Sequence, residues 1–178
     1  GEAQVVADGD FGLQGTRQAW AAKGQATLQR AQQSAQLDFD AQGNEAKLRV
    51  QSLSARMESG RLEAKGELAW SPALAYRFDA RLAGFDPGYF APDWPGAVDG
   101  RASIDGGRAK DGGLDTHLVL DELGGKLRTR ALSGRADLRM HAPAGARATS
   151  SYEGDLALRL GDSNVQAILA LRGKLLNV

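Results

Sequence analysis

Residues 62–70 and 74–82 share one pattern. Apolar side chains or glycine fall on even positions (Leu62, Ala64, Gly66, Leu68 and Trp70, then Leu74, Tyr76, Phe78, Ala80 and Leu82), and charges fill most odd ones. The same period of two runs through 134–140, 154–160 and 165–175. It is weaker in 35–41, 46–50, 53–57, 98–104, 114–120 and 125–129. Successive side chains of a strand point to opposite faces, so each run predicts a strand with one apolar and one charged face. A helix would need a period near 3.6.

Turn-forming residues separate the runs. Asp8-Gly9-Asp10, Gly43-Asn44, Asp105-Gly106-Gly107, Asp111-Gly112-Gly113, Gly124-Gly125 and Gly161-Asp162-Ser163-Asn164 all tolerate positive φ. Their spacing predicts an all-β meander of about a dozen antiparallel strands joined by short hairpins. Two stretches depart from the pattern. Residues 16–36 are rich in Ala and Gln, which favour helix, but Gly24 interrupts them and the strand reading is preferred. In 85–96, Asp86 reads as an N-cap and Pro87 as a first helical residue, while Pro92 and Pro95 stop the helix early. One short helical turn is expected near 86–91, with Tyr89, Phe90 and Trp94 tucked against the sheet.

Composition narrows the function classes. The 178 residues carry 22 Lys and Arg against 22 Asp and Glu, a formal net charge of zero, which gives no long-range pull on nucleic acid. The chain has no cysteine, so disulfides, thiolate catalysis and Cys-based zinc sites are excluded. No apolar run approaches the roughly 20 residues of a membrane-spanning helix. His117 and His141 are the only histidines, and both read as solvated surface residues. The many carboxylates interleave with Arg, which fits cross-strand ion pairs better than acid–base pairs. Gly106-Gly107 and Gly112-Gly113 lack the strand-to-helix context of a phosphate loop. No catalytic constellation, metal site or cofactor is expected. Arg101, Arg128 and Arg130 are candidates to meet phosphate headgroups, although a plain solvated face is the preferred reading.

The apolar face needs a cover, because each large apolar side chain left wet forfeits about 1.5 kcal/mol or more. The sheet must fold on itself as a sandwich or barrel, or curl into a trough. Glycines fall on that face too, at Gly66, Gly100, Gly134, Gly154 and Gly173, where they mark either bends or room for a guest. The candidate lining is Leu48, Val50, Leu62, Leu68, Trp70, Tyr76, Phe78, Leu82, Ile104, Leu118, Leu120, Leu127, Leu138, Met140, Leu156, Leu158, Leu160, Leu169 and Leu171. Whether it lines a groove or a closed core, the periodicity leaves open.

The segment Gly84-Phe85-Asp86-Pro87-Gly88-Tyr89-Phe90-Ala91-Pro92-Asp93-Trp94-Pro95-Gly96, followed by an alternating strand, resembles a recurring element of TamB-family proteins. The Gly-x-Leu strands around it extend the resemblance over most of the chain. The resemblance implies a long β-sheet curled into a U-shaped trough with an apolar interior, in a periplasmic protein anchored in the inner membrane of a Gram-negative bacterium. It makes residues 1–178 a single trough segment, an internal piece of a larger repetitive protein. Its implied ligand is phospholipid or another acyl-chain lipid, moved between the inner and outer membranes. Its implied partner is a TamA-like outer-membrane barrel, reached through the full-length protein. An alternative is a chaperone-like surface for unfolded outer-membrane proteins such as autotransporters. Membership of an outer-membrane barrel is disfavoured, since five Phe, three Trp and three Tyr, scattered, make no aromatic girdle.

Overall fold

The computed structural model describes residues 5–30, 33–89, 91–145 and 149–172. It contains eleven strands: β1 (Val5–Thr16), β2 (Ala19–Arg30), β3 (Gln33–Gly43), β4 (Lys47–Met57), β5 (Gly60–Ala69), β6 (Ala75–Phe85), β7 (Gly96–Arg108), β8 (Leu114–Leu127), β9 (Arg130–Ala142), β10 (Ser151–Leu160) and β11 (Ser163–Arg172). They form one open sheet in chain order, every neighbouring pair antiparallel, with β1 and β11 at its two edges. The expected helical turn is a 3-10 turn at Pro87–Tyr89, the one helical element among the described residues. The Ala- and Gln-rich 16–36 stretch falls in β2 and the start of β3. Its helix propensity is overridden by pairing on both sides of β2.

Several expected boundaries are corrected. The runs 46–50 and 53–57 are one strand, β4, and 114–120 joins most of 125–129 in β8. Bulges hide this continuity, because the register shifts between Val50 and Leu53 and between Leu120 and Leu123. Each bulge inserts one residue and bends its strand. Val50 and Leu53, three apart, therefore face Gly66 and Ala64 on the same side. A third bulge separates Leu82 from Phe85.

Asp8-Gly9-Asp10, Asp105-Gly106-Gly107 and Gly124-Gly125 are not turns but lie inside β1, β7 and β8. Glycine serves strands here because a larger residue would collide. A Cβ at Gly9 would meet Ala26, and one at Gly106 would meet the Tyr76 ring. The real β8–β9 turn is Arg128-Thr129, with φ of 48° and 68°, the signature of a tight two-residue hairpin.

Among the described residues no second layer of secondary structure lies on this sheet. Strand contacts run between sequence neighbours, and the 3-10 turn packs on β7. Few side chains are buried: Ala35, Ala41, Tyr89, Val98 and Ala136, with no large side chain fully enclosed among the described residues. A self-filled sandwich would enclose many leucines and aromatics, whereas among the described residues Tyr89 is the one buried aromatic and no leucine is buried. Here the apolar side chains are sheltered to an intermediate degree by their neighbours and by the bending of the sheet, as an open trough requires.

Candidate functional site: a continuous apolar face

Cross-strand register shows that the apolar face is unbroken. Val50, Gly66, Phe78, Ile104, Leu118, Leu138 and Gly154 stand opposite one another in a row from β4 to β10. A parallel row runs Leu48, Leu68, Tyr76, Gly106, Thr116, Met140 and Tyr152. Between the bulges a third row runs Leu53, Ala64, Ala80, Ala102, Leu120, Ala136 and Leu156. Its alanines fall near the middle of their strands, so the centre of the face is lower than its flanks.

The structure brings the expected lining together. Leu48, Val50, Leu62, Leu68, Tyr76, Phe78, Leu82, Ile104, Leu118, Leu120, Leu127, Leu138, Met140, Leu156, Leu158 and Leu160 share this face and are half-buried. Trp70 lies just beyond β5, 45% exposed, where its indole Nε1 donates to the Glu45 carbonyl at 2.6 Å. It belongs to the rim rather than the floor. Leu169 and Leu171 lie in β11, in register with Gly154 and Tyr152, and their side chains fall outside the described part.

Sequence reasoning missed other members of the face. Leu37, Phe39 and Ala41 extend it across β3, and Trp20, Ala22 and Leu28 across β2. Leu13 and Phe11 carry it onto β1, where they are 67% and 78% exposed. Leu53, Phe85 and Leu123 were hidden because a bulge shifts their phase.

The glycines of this face are not empty spaces. A Cβ on Gly66 would overlap the Phe78 ring, and one on Gly134 the Leu158 side chain. Gly24 lies under Phe39, and Gly43 under Trp20. At these sites the room expected for a guest is occupied by the cross-strand partner. The consequence for shape is that rings lie along the sheet instead of standing up from it. Gly100 is buried beside Leu123, Gly154 is held at a φ of 153° against the β9 backbone, and Gly173 lies outside the described residues.

One end of the face is closed over by the segment after β6. The Asp86 carboxylate accepts from Gly88 N at 2.8 Å and Gly96 N at 2.9 Å, pinning both ends of the segment together. The Tyr89 hydroxyl donates to the Leu28 carbonyl of β2 at 3.1 Å, and Tyr89 is only 3% exposed. Four strand steps in a flat sheet span about 19 Å. A compact turn carrying one tyrosine falls short of that, so the sheet must curve between β2 and β6. Trp94 stays 43% exposed, with the Arg128 guanidinium 5.2 Å from its ring centre. Of the three aromatics expected to tuck inward, Tyr89 does, Trp94 sits at the surface, and Phe90 lies outside the described residues.

The opposite face is charged, and most of its pairs are cross-strand. Lys23 meets Asp40 at 2.8 Å, Arg49 meets Glu67 at 2.7 Å and Arg56 meets Asp38 at 2.9 Å. Arg101 pairs with Glu122 at 3.2 Å and Arg128 lies over Trp94, so two of the three candidate headgroup arginines have partners in the chain. Two hollows of about 790 and 680 Å³ carry charged residues such as Lys65, Arg81, Asp121 and Arg135 in their lining. They are wide and open, and their lining mixes these charges with apolar residues such as Leu53, Val119 and Leu156. Among the described residues no group of three His, Asp or Glu is placed to hold a metal. No described helix is long and apolar enough to cross a membrane.

No solved structure matches this sheet. The sequence model of the TamB N-terminal domain matches residues 1–175, nearly the whole chain. With the Asp86–Gly96 segment, the alternating strands and the open apolar meander in place, the chain belongs to the TamB family.

Proposed function

We propose that the apolar face binds phospholipid acyl chains and, in series with adjoining sheet of the full-length protein, conducts them between the inner and outer membranes. Family membership makes the chain part of a Gram-negative envelope protein concerned with outer-membrane assembly. The observation that carries the finer reading is the continuity of the face. Rows of apolar side chains cross β4 to β10 without a charged residue, most of them half-buried, and among the described residues no second layer covers them. Leaving that much apolar surface without a guest is costly, and large exposed apolar surfaces mark interaction sites. The alanine row gives an extended chain a shallow track to lie in. The charged outer face keeps the sheet soluble in the periplasm. On this reading the role is binding and not catalysis, a TamA-like barrel receives the lipid, and an inner-membrane anchor lies elsewhere in the protein.

A second reading is supported by the β1 edge. Among the described residues no strand pairs with its outer backbone, and Phe11 and Leu13 are exposed beside it. Such an edge can accept an added strand, as an unfolded outer-membrane protein would offer.

The test is native mass spectrometry of the purified chain with identification of co-purified lipid. Phospholipid at a defined stoichiometry is expected, lost in Leu158→Asp and kept in the outer-face variant Arg159→Glu. Circular dichroism establishes that both variants are folded. Lipid-free protein that also ignores a fluorescent fatty acid would overturn the conduit reading and leave the strand-binding one.

A further inference from the structure

The two histidines of the chain sit on the charged face of adjacent strands, His117 on β8 and His141 on β9. Each has carboxylates at both ring nitrogens. His141 Nδ1 is 2.6 Å from Asp115 Oδ1, and its Nε2 is 3.0 Å from Asp111 Oδ2. His117 Nε2 is 2.7 Å from Asp137 Oδ1, and its Nδ1 is 3.6 Å from Asp105 Oδ1. A neutral imidazole has one N–H, so its other nitrogen would turn a lone pair toward a carboxylate. Only the imidazolium donates on both sides. Because the two carboxylates of each set address opposite nitrogens of one ring, they converge on the ring and not on a point where a cation could be chelated.

The surroundings add to the same charge balance. Asp105 of β7 and Arg139 of β9 stand opposite His117. Asp115 of β8 and the uncharged Ser151 of β10 stand opposite His141. Glu153 of β10 lines the same surface hollow as both histidines. The β7–β8 turn contributes Asp111 and the exposed Lys110, and Arg108 at the end of β7 is turned to the Gly112 carbonyl. Around His141, the carboxylates Asp111, Asp115 and Glu153 outweigh Lys110, exposed in the turn, and Arg108, turned away to Gly112, which favours the imidazolium there. The bridges tie β7 to β8, β8 to β9, and the β7–β8 turn to β9.

We propose that the His141–Asp111–Asp115 cluster is a proton-operated clasp, fastening β9 to β8 and to the β7–β8 turn in mildly acidic surroundings and loosening them as the pH rises. The hydrogen bond to Asp115, followed by the charge and hydrogen bond of Asp111, raises His141 above its ordinary 6.5. A raised histidine contributes its full stabilisation below about 6.5 and loses it as pH climbs through its folded value. The Gly113 N–H, and after it His141, lowers Asp111 below its ordinary 3.8. Its contribution is present above 3.8 and disappears as pH falls through its folded value. The clasp is therefore closed between these limits and opens on the alkaline side. Behind it lie Thr116, Leu118, Leu138 and Met140, so its state sets how firmly that stretch of the apolar face is held.

The experiment is a histidine NMR titration of the whole chain, with amide exchange followed from about pH 5.5 to about pH 8.5 and corrected for intrinsic exchange. His141 is expected to titrate above 6.5. Amides of residues 115–117 and 139–141 should lose protection severalfold across that range, while β4 and β5 stay constant. In His141→Gln and in Asp111→Asn/Asp115→Asn the pH dependence should vanish with the fold intact by circular dichroism. A His141 that titrates at or below 6.5, or protection whose pH dependence survives in the folded variants, would overturn the clasp.

Discussion

The Tyr76 hydroxyl lies 2.5 Å from Thr116 Oγ1, two strands away, with Gly106 between them. The contact exists because Gly106 has no side chain, and a Cβ there would strike the ring. Tyr76 is thereby laid flat along the face, its polar end satisfied inside an apolar surface. Gly106→Val should lift the ring, break the bond and overfill the row, costing about 1–3 kcal/mol in urea denaturation. Thr116→Val keeps the shape but removes the partner, and should cost about 1 kcal/mol. If Gly106→Val unfolded at wild-type urea, the ring would be shown not to depend on the glycine.

The bond from Tyr89 to the Leu28 carbonyl links β2 to the segment that follows β6. Tyr89→Phe removes the hydroxyl and keeps the ring. It should cost about 1 kcal/mol and raise amide exchange in β2 more than in β8. Tyr89→Ala removes the buried ring as well and should cost about 3–5 kcal/mol. Equal exchange in β2 for wild type and Tyr89→Phe would mean that the curvature is set by the bulges alone.

Asp86 has a separate job, holding Gly88 N and Gly96 N with one oxygen. Bonds to a charged acceptor are stronger than neutral ones, so Asp86→Ala should destabilise by about 2 kcal/mol. Asp86→Asn retains a neutral acceptor and should lose about half as much. Thermal unfolding of the three proteins distinguishes these outcomes from a passive turn, for which both variants would match wild type.

How much of this was legible in the sequence depended on distance along the chain. The face of each strand follows from local alternation, so Leu62, Leu68, Phe78, Leu138 and Leu158 could be placed beforehand. Where the phase slips, at Val50 to Leu53 and Leu120 to Leu123, one strand read as two. A bulge adds a residue without a compositional mark, and Glu122 adopts a φ of 52° there although it is not a turn-forming type. Glycine misled in the other direction. Gly9, Gly106 and Gly125 read as turns, but they answer crowding or backbone conformation inside strands. The Tyr89–Leu28 bond joins residues 61 apart, and nothing local to either could have announced it. Likewise the histidines were expected to be merely solvated. Their carboxylate partners come from neighbouring strands and a turn, which only the register brings together.

The β8–β9 turn places two residues with side chains in the left-handed region, Arg128 at 48° and Thr129 at 68°. For a β-branched residue such as Thr129 that conformation is strained, and about 1–2 kcal/mol separates it from the right-handed alternative. Thr129 gains little in return, since its hydroxyl bonds only the neighbouring Arg128 carbonyl at 2.5 Å. Thr129→Gly should therefore stabilise the chain by about 1 kcal/mol, seen as a higher urea midpoint at unchanged slope. Arg128 is a different case. Its guanidinium lies over Trp94 and its N–H donates to the Pro95 carbonyl at 2.8 Å, tying the turn to the segment after β6. In Arg128→Gly the relief of backbone strain is offset by loss of the cation–π contact, worth about 0.5–1 kcal/mol at an exposed site. The net change should be small, and smaller than that of Thr129→Gly. A Thr129→Gly variant less stable than wild type would mean that glycine's extra freedom in the unfolded chain outweighs the strain removed.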